Sequence, residues 1–246
     1  MSVRLRRHHL TLALFGCAAL MACRSAPPPA AEPGPSAPVQ SSAQAWAAQY
    51  AELAAAGGTL LRLDPQRSTV RILVFRGGRA PKLGHNHVLA APDFTGYLFV
   101  PAAGVADARF DLEFRLDRLD LDDPRIRATL GAAFAAQLTP GDIANTRAHM
   151  LGADNLQADR YPYVRIHSLR ITGEDPAYAA QVEVEMHGQR RAQWLALTAE
   201  GLPQRLTVGG SFVLRQSDFG VRPYSALGGL IAVQDEVLVQ FSLVGN

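Results

Sequence analysis

The sequence predicts an all-β, antiparallel domain with minor helices, either a sandwich or a closed barrel, on three observations. Apolar residues recur with period two over most of residues 59–246. The alternating runs number seven or eight and are separated by short, turn-rich intervals. Each run keeps one polar face, the mark of half-solvated antiparallel strands rather than the continuous apolar runs of a parallel sheet.

Ahead of that domain, residues 1–22 read as a secretory signal. Arg4, Arg6 and Arg7 make a positive start, Leu10 to Ala22 is an apolar run, and small residues surround the cut. The run is too short to span a bilayer comfortably as a helix. Leu20-Met21-Ala22-Cys23 resembles a bacterial lipobox. The resemblance implies that Cys23 is acylated and opens the mature chain. Each buried methylene of an acyl chain contributes about 0.8 kcal/mol, so more than one chain gives stable anchoring. Arg24 is not the Asp that retains enteric-type lipoproteins at the inner membrane, so attachment to the outer membrane, facing the periplasm, is expected.

Residues 23–42 form a tether, with Pro27, Pro28, Pro29, Pro33, Pro35 and Pro38 set among Ala and Ser. Such a linker reaches roughly 25 Å as a coil and up to about 60 Å as polyproline. Residues 43–58 read as an amphipathic helix. Trp46, Tyr50 and Leu53 fall on one stripe, and Gly57-Gly58 stops it.

The strands follow in order, at 68–76 and 94–100 and then at Phe110, Leu112, Phe114 and Leu116. There Asp111, Glu113, Arg115 and Asp117 occupy the alternate face, expected to meet solvent. Residues 124–158 interrupt the pattern. Pro124 follows two aspartates, Ile126, Leu130 and Phe134 repeat at helical spacing, and Asp142 could cap a second helix through Leu151. A helical insertion there suits a lid or end-plug. Further strands are expected at 163–171, 193–199 and 206–215, where Gly209-Gly210 suggests a bulge or sharp bend. Val182, Val184 and Met186 alternate with Glu183, Glu185 and His187, and Val237, Val239, Phe241 and Leu243 line the last strand.

Composition removes several function classes. The 24 Lys and Arg fall to 21 once Arg4, Arg6 and Arg7 leave with the signal, against 22 Asp and Glu. No basic face for nucleic acid is expected from that balance. Cys17 leaves with the signal and acylation consumes the Cys23 thiol, which excludes disulfides, Cys-based zinc sites and thiol catalysis. The core alone must hold the domain.

Several short segments, in order, resemble the YceI-like family of lipocalin-like exported proteins associated with polyisoprenoid binding. They are Leu63-Asp64-Pro65-Gln66-Arg67-Ser68-Thr69-Val70, Thr146-Arg147-Ala148-His149-Met150-Leu151, and Tyr161-Pro162 followed by Ile166-His167-Ser168. Met186-His187-Gly188-Gln189-Arg190-Arg191 is similar to the family's hairpin turn. Val208-Gly209-Gly210-Ser211-Phe212 leads into Arg215-Gln216-Ser217-Asp218-Phe219-Gly220-Val221, and Val233-Gln234-Asp235-Glu236-Val237 opens the final strand. Leu83-Gly84-His85-Asn86-His87 is more His-dense than the family pattern, and Leu119-Asp120-Leu121-Asp122-Asp123-Pro124 replaces its Ser- and Thr-bearing segment. The resemblance implies a lipocalin-like antiparallel barrel of about eight strands around an elongated apolar cavity. A barrel of that size can hold one small ligand.

The expected function is therefore a membrane-tethered periplasmic protein that binds a long apolar lipid, polyisoprenoid or quinone-like, with no catalytic step and no cofactor. Phe114, Leu116, Val184, Met186, Phe212, Leu214, Val239 and Phe241 are the expected tail-binding face. His85, Asn86 and His87 are expected at the headgroup. Two alternatives stand beside it. His85 and His87, two apart on a strand, could chelate a metal with a third ligand from His149, His167 or His187, as in a metal-binding protein or metallohydrolase. The domain could also be a structural envelope protein without ligand. Asp218-Phe219-Gly220 lacks the Gly-rich loop and catalytic loop of a kinase and reads as a turn with Phe219 buried. No Gly-x-Ser-x-Gly elbow accompanies Ser211.

Overall fold

The computed structural model describes residues 40–246. The expected signal, the lipobox-like segment and most of the expected tether lie outside the described residues. The chain opens with α1 (Ala43–Ala55), β1 (Gly58–Arg62), β2 (Thr69–Gly77), β3 (His87–Ala90) and β4 (Thr95–Pro101). Next come β5 (Arg109–Arg115), β6 (Asp120–Leu121), α2 (Pro124–Ala128) and α3 (Pro140–Leu151). Strands β7 (Tyr163–Glu174), β8 (Ala177–Met186), β9 (Gln189–Glu200) and β10 (Leu206–Arg215) follow, then β11 (Ser225–Ala226) and β12 (Ile231–Gly245).

All pairings are antiparallel, in the order β1-β4-β5-β7-β8-β9-β10-β12-β2-β3-β6, with β11 beside β12. The sheet curls until Leu63 bridges Gly245, and Arg62 and Asn246 exchange backbone hydrogen bonds there. The result is the expected lipocalin-like curl, with twelve strands rather than about eight. The eight alternating segments of the sequence are the eight longest strands. The other four run two to five residues, too short to display a period. Within the family-like segment 63–70, a single helical turn at Pro65–Arg67 precedes β2, and Asp64 accepts there from the Gln66 amide.

Local chemistry sets the corners. His187 (φ 52) and Gly188 (φ 71) form a two-residue hairpin turn with both residues left-handed, the geometry that matches strand twist. Gly209 and Gly210 make no bulge, because β10 pairs with β12 without interruption from Leu206 to Arg215. A side chain at Gly210 would instead strike the Phe241 ring at 2.7 Å and the Ala196 carbonyl at 2.8 Å.

The helical insertion divides between two places. Ile126, Leu130 and Phe134 pack on the outer side of β2 and β3, against Leu73, Phe75 and Val88. Helix α3 lies at one end of the barrel. Its cap is Thr139 rather than Asp142: Asp142 occupies the third position and its carboxylate accepts from the Thr139 amide, completing a capping box.

Helix α1 lies on the outer face of the sheet, where Tyr50, Trp46 and Leu53 meet Tyr97, Phe99 and Leu60. This overturns the expectation of a solvated outer face on β5. Asp111 and Glu113 are each only 3% exposed. Asp111 accepts from the Tyr50 hydroxyl at 2.7 Å, and burial together with that hydrogen bond pushes the Tyr50 phenol up. Glu113 receives the Ser41 hydroxyl, the Ser42 and Ala43 amides and the Arg165 guanidinium, so a strand carboxylate caps the helix. Replacing Glu113 with Ala strands these donors and should cost about 2–3 kcal/mol in urea denaturation. Glu183→Ala, which breaks only an exposed pair with Arg190, should cost less than about 1 kcal/mol. Equal losses would show that α1 is not held in this way.

Candidate functional site

Inward-facing residues of the strands enclose a cavity of about 730 Å³. Cross-strand register stacks them in layers. Ile72 pairs with Leu89 and Val239, which in turn faces Phe212. Toward the floor, Val70 pairs with Phe241, and Leu243 pairs with Val208, which faces Ala199. Leu112 sits beside Ile166, which neighbours Val184. All of these present apolar side chains to the cavity. At the floor, Val105, Ala108, Leu202 and Leu206 close it.

Apart from Tyr178 at the floor end, the polar lining gathers at the other end. Gln216, Tyr224 and Asn155 join Asp142, Asn145, Thr146 and His149 of α3 there, with His85 and His87 opposite. Arg147 anchors α3 by donating to the Leu119 and Asp117 carbonyls. His149 then packs on Tyr224 with ring centres 5.3 Å apart. The arrangement is an apolar sleeve with one polar mouth. Such a shape binds a molecule with a long apolar part by area removed from water, at about 25 cal/mol per Å². Its volume lies within the roughly 300–1,000 Å³ usual for small-ligand cavities.

Phe114, Leu116, Val184, Met186, Phe212, Leu214, Val239 and Phe241 all line the cavity. So do His85 and His87, at the mouth. Asn86 does not. It is buried between them, accepting from the Arg76 amide at 2.9 Å and donating to the Ala133 carbonyl at 3.0 Å, so it fastens the insertion to the sheet. Of the polar residues of α3 only His149 was named, as a possible third metal ligand; Asp142, Asn145 and Thr146, with Gln216 and Tyr224, were missed as site residues. Their signal was the Arg147–His149 segment quoted for the family resemblance, whose helix carries Asn145 and Thr146 on the same side.

His87 is committed to a carboxylate. Its Nδ1 lies 2.7 Å from Asp122, which is 1% exposed and also accepts from the Val88 amide and the Arg127 guanidinium. Burial opposes the Asp122 charge, yet these hydrogen bonds outweigh it and hold the carboxyl below its usual range. The other histidines expected as metal ligands are dispersed. His167 is on the outer face beside Asp111, and His187 contacts the Phe219 carbonyl and the Tyr161 ring. Among the described residues, no three His, Cys, Asp or Glu side chains converge to hold a metal. Phe219 is buried in a turn after β10, as its sequence context predicts.

Because the folded carboxyl is depressed, Asp122 contributes its stability above the ordinary value of 3.8 and loses it as pH falls through the lower folded value. Wild-type urea midpoints should therefore drop on acidification below about pH 4. Asp122→Asn, which leaves Arg127 buried and unpaired, should cost about 3–5 kcal/mol at neutral pH and flatten that acid drop. A variant with an unchanged acid limb would show that the carboxylate is not ionised in the fold.

The family model described as YceI-like domain matches residues 61–245. The crystal structure of Burkholderia cenocepacia BcnA resembles the chain with a TM-score of 0.54 and 16% identity, covering 74% of this chain and 98% of that one. A Campylobacter jejuni YceI protein gives a TM-score of 0.45 and 12% identity, covering 62% of this chain and 80% of that one. At such identities the first likeness concerns the fold alone. No curated protein matches the chain.

Proposed function

The chain belongs to the YceI-like family, and we propose that it is a membrane-tethered carrier holding one long apolar lipid, polyisoprenoid or quinone-like, in its barrel. One observation carries the reading: a cavity of about 730 Å³ whose walls and floor are apolar except for Tyr178 and whose other polar groups gather at a single mouth. A tail of several isoprene units gains from the walls, and a headgroup finds a cluster of hydrogen-bonding partners at the rim. Binding of this kind needs no catalytic group. His85, Asn145 and His149 are the side chains at the mouth suited to a headgroup. A single hydrogen bond there is worth about 0.5–1.5 kcal/mol net, so the tail sets the affinity.

The tether belongs to the same proposal. Acylation at Cys23, attachment to the outer membrane and a periplasmic position are supported by the charged start, the apolar run and the lipobox-like Leu20-Met21-Ala22-Cys23.

Phe212 is half-buried and lines the cavity wall. Phe212→Asp puts a charge where the tail would lie, and lipid recovered by organic extraction and mass spectrometry of the purified protein should fall at least about tenfold, since burying the charge costs several kcal/mol. His85→Ala should leave the recovered lipid within about tenfold of wild type. Undiminished lipid in Phe212→Asp would remove the barrel from the binding reaction.

Anchoring is tested separately. Cys23→Ala should shift the protein from the membrane pellet to the soluble envelope fraction, and continued sedimentation with membranes would reject the lipoprotein reading.

A further inference from the structure

Strand directions place four features at the same end of the barrel. The hairpin turn His187–Gly188 closes β8 there, and His187 contacts the turn that follows β10. The start of β12 pairs with the end of β2, Ala232 opposite Gly77, which brings in the loops 78–86 and 220–230. Helix α1 also begins at this end. Its capping carboxylate, Glu113, belongs to the cross-strand row Glu113–Arg165–Glu185, two residues below the His187 turn. From there α1 runs away from the mouth, because Gly58, which follows it, pairs with Pro101 at the far end. The chain arriving from Cys23 therefore joins the barrel on its mouth side.

The two loops at that mouth have an unusual surface. Leu83 is 63% exposed and Leu227 68%, with Tyr224 and Leu230 also exposed. They make up four of the seven large hydrophobics exposed among the described residues. Leu227 sits at φ 50, a conformation that non-glycine residues rarely adopt, and it is followed by left-handed Gly228 and Gly229. The backbone is bent there and delivers a leucine into solvent. The loops are also bonded to each other. Arg79 donates from its guanidinium to the Gly228 carbonyl and from its amide to Gly229, and the Ala80 amide donates to Leu230. The apolar tips thus form one built surface.

Its charge has one sign. Arg76, Arg79 and Lys82 lie in 76–86 and Arg222 in 220–230, and neither loop contains Asp or Glu. Of the flanking acids, Asp142 is bonded to Thr139 and Asp235 to Ser217, while Asp218, in the turn before Gly220, and Asp154, beside the Asn155 that donates to the Arg222 carbonyl, stand at the edge of the cationic loops. Protruding leucines, one interfacial tyrosine and a cationic fringe match the acyl boundary, the interface and the anionic headgroups of a bilayer.

We propose that this mouth rim docks on an anionic lipid bilayer, so that the cavity opens directly onto the membrane that supplies or receives its ligand. The proposal rests on the carrier reading and names its partner. The tether fits it, because a linker of 17 residues from Arg24 to Gln40 spans roughly 25 Å as a coil and ends beside the mouth. A lipid would then pass between bilayer and sleeve tail-first, without crossing water.

The test uses the acylated full-length protein in vesicles of phosphatidylethanolamine and phosphatidylglycerol. An environment-sensitive dye is attached at Ser225→Cys on the rim or at Asp107→Cys at the floor end, both exposed positions. The rim dye should shift to the blue and be quenched by lipids brominated on their acyl chains, and the floor dye should do neither. Leu227→Asp combined with Leu230→Asp, an exposed pair, should abolish the rim signal while leaving the urea midpoint of the protein unchanged. Vesicles of phosphatidylcholine alone should weaken it. Equal quenching at both positions, or none at the rim, would overturn the docking proposal. So would a rim dye shielded from aqueous iodide only when envelope proteins are present, which would identify a protein partner. Protein that carries no lipid in any preparation would instead refute the carrier reading, so the two failures are distinguishable.

Discussion

The Asp122 carboxylate is the contact on which the shape of the mouth depends. It sits just after β6 in a left-handed conformation (φ 57) that Asp tolerates better than most residues. From there it accepts hydrogen bonds from His87, Val88 and Arg127. Arg127 in turn donates to the carbonyls of Asn86, Phe134 and Ala136. One buried ion pair thus joins an edge strand, a mouth histidine, α2 and the turn after it. An unpaired charge in that position would be expensive, so the pair acts as a switchless fastener: both partners stay or the insertion comes away. With the insertion pinned to the outside of β2 and β3, the chain that follows is delivered across the barrel end as α3.

This division explains how the sheet remains hollow. Its outer face is covered locally, by α1 over β4 and β5 and by the 124–134 segment over β2 and β3. The stabilising apolar contacts on those faces do not require the barrel to be filled from within. The inner face can then keep bulky aliphatic and aromatic side chains around open space, provided that the polar groups stay at one end. Phe241 is folded against the side-chain-free Gly210, which widens nothing but lets an aromatic ring lie flat along the wall.

The sequence made the eight long strands legible because each spans several periods of two, and it made their inward faces legible for the same reason. Strands β1, β3, β6 and β11 were not legible, since two to five residues carry no period. The covered outer face of β5 was also hidden. Asp111 and Glu113 look like solvated positions, and only a helix some sixty to seventy residues earlier in the chain makes them buried acceptors. At the mouth, His85-Asn86-His87 reads as one chemical cluster, yet the fold splits it. His85 faces the opening, His87 is held by Asp122, and Asn86 is taken by backbone partners from two other segments. Spacing along a chain cannot show such partners when they come from elsewhere. The α3 residues at the mouth were written in the family-like helix, but their polarity acquires meaning only when that helix is laid across the barrel end.

The central claim is that the sleeve between the floor at Val208 and Leu243 and the rim at His85 and His149 is occupied along its length by one apolar chain. A crystal structure of the acylated protein purified from its own envelope tests this most directly. The account predicts continuous elongated density running from the floor layer past Phe212 and Val239 to the mouth, ending among the polar side chains of α3. Side chains repacked into the cavity, or density confined to the rim with the walls in contact with each other, would contradict it.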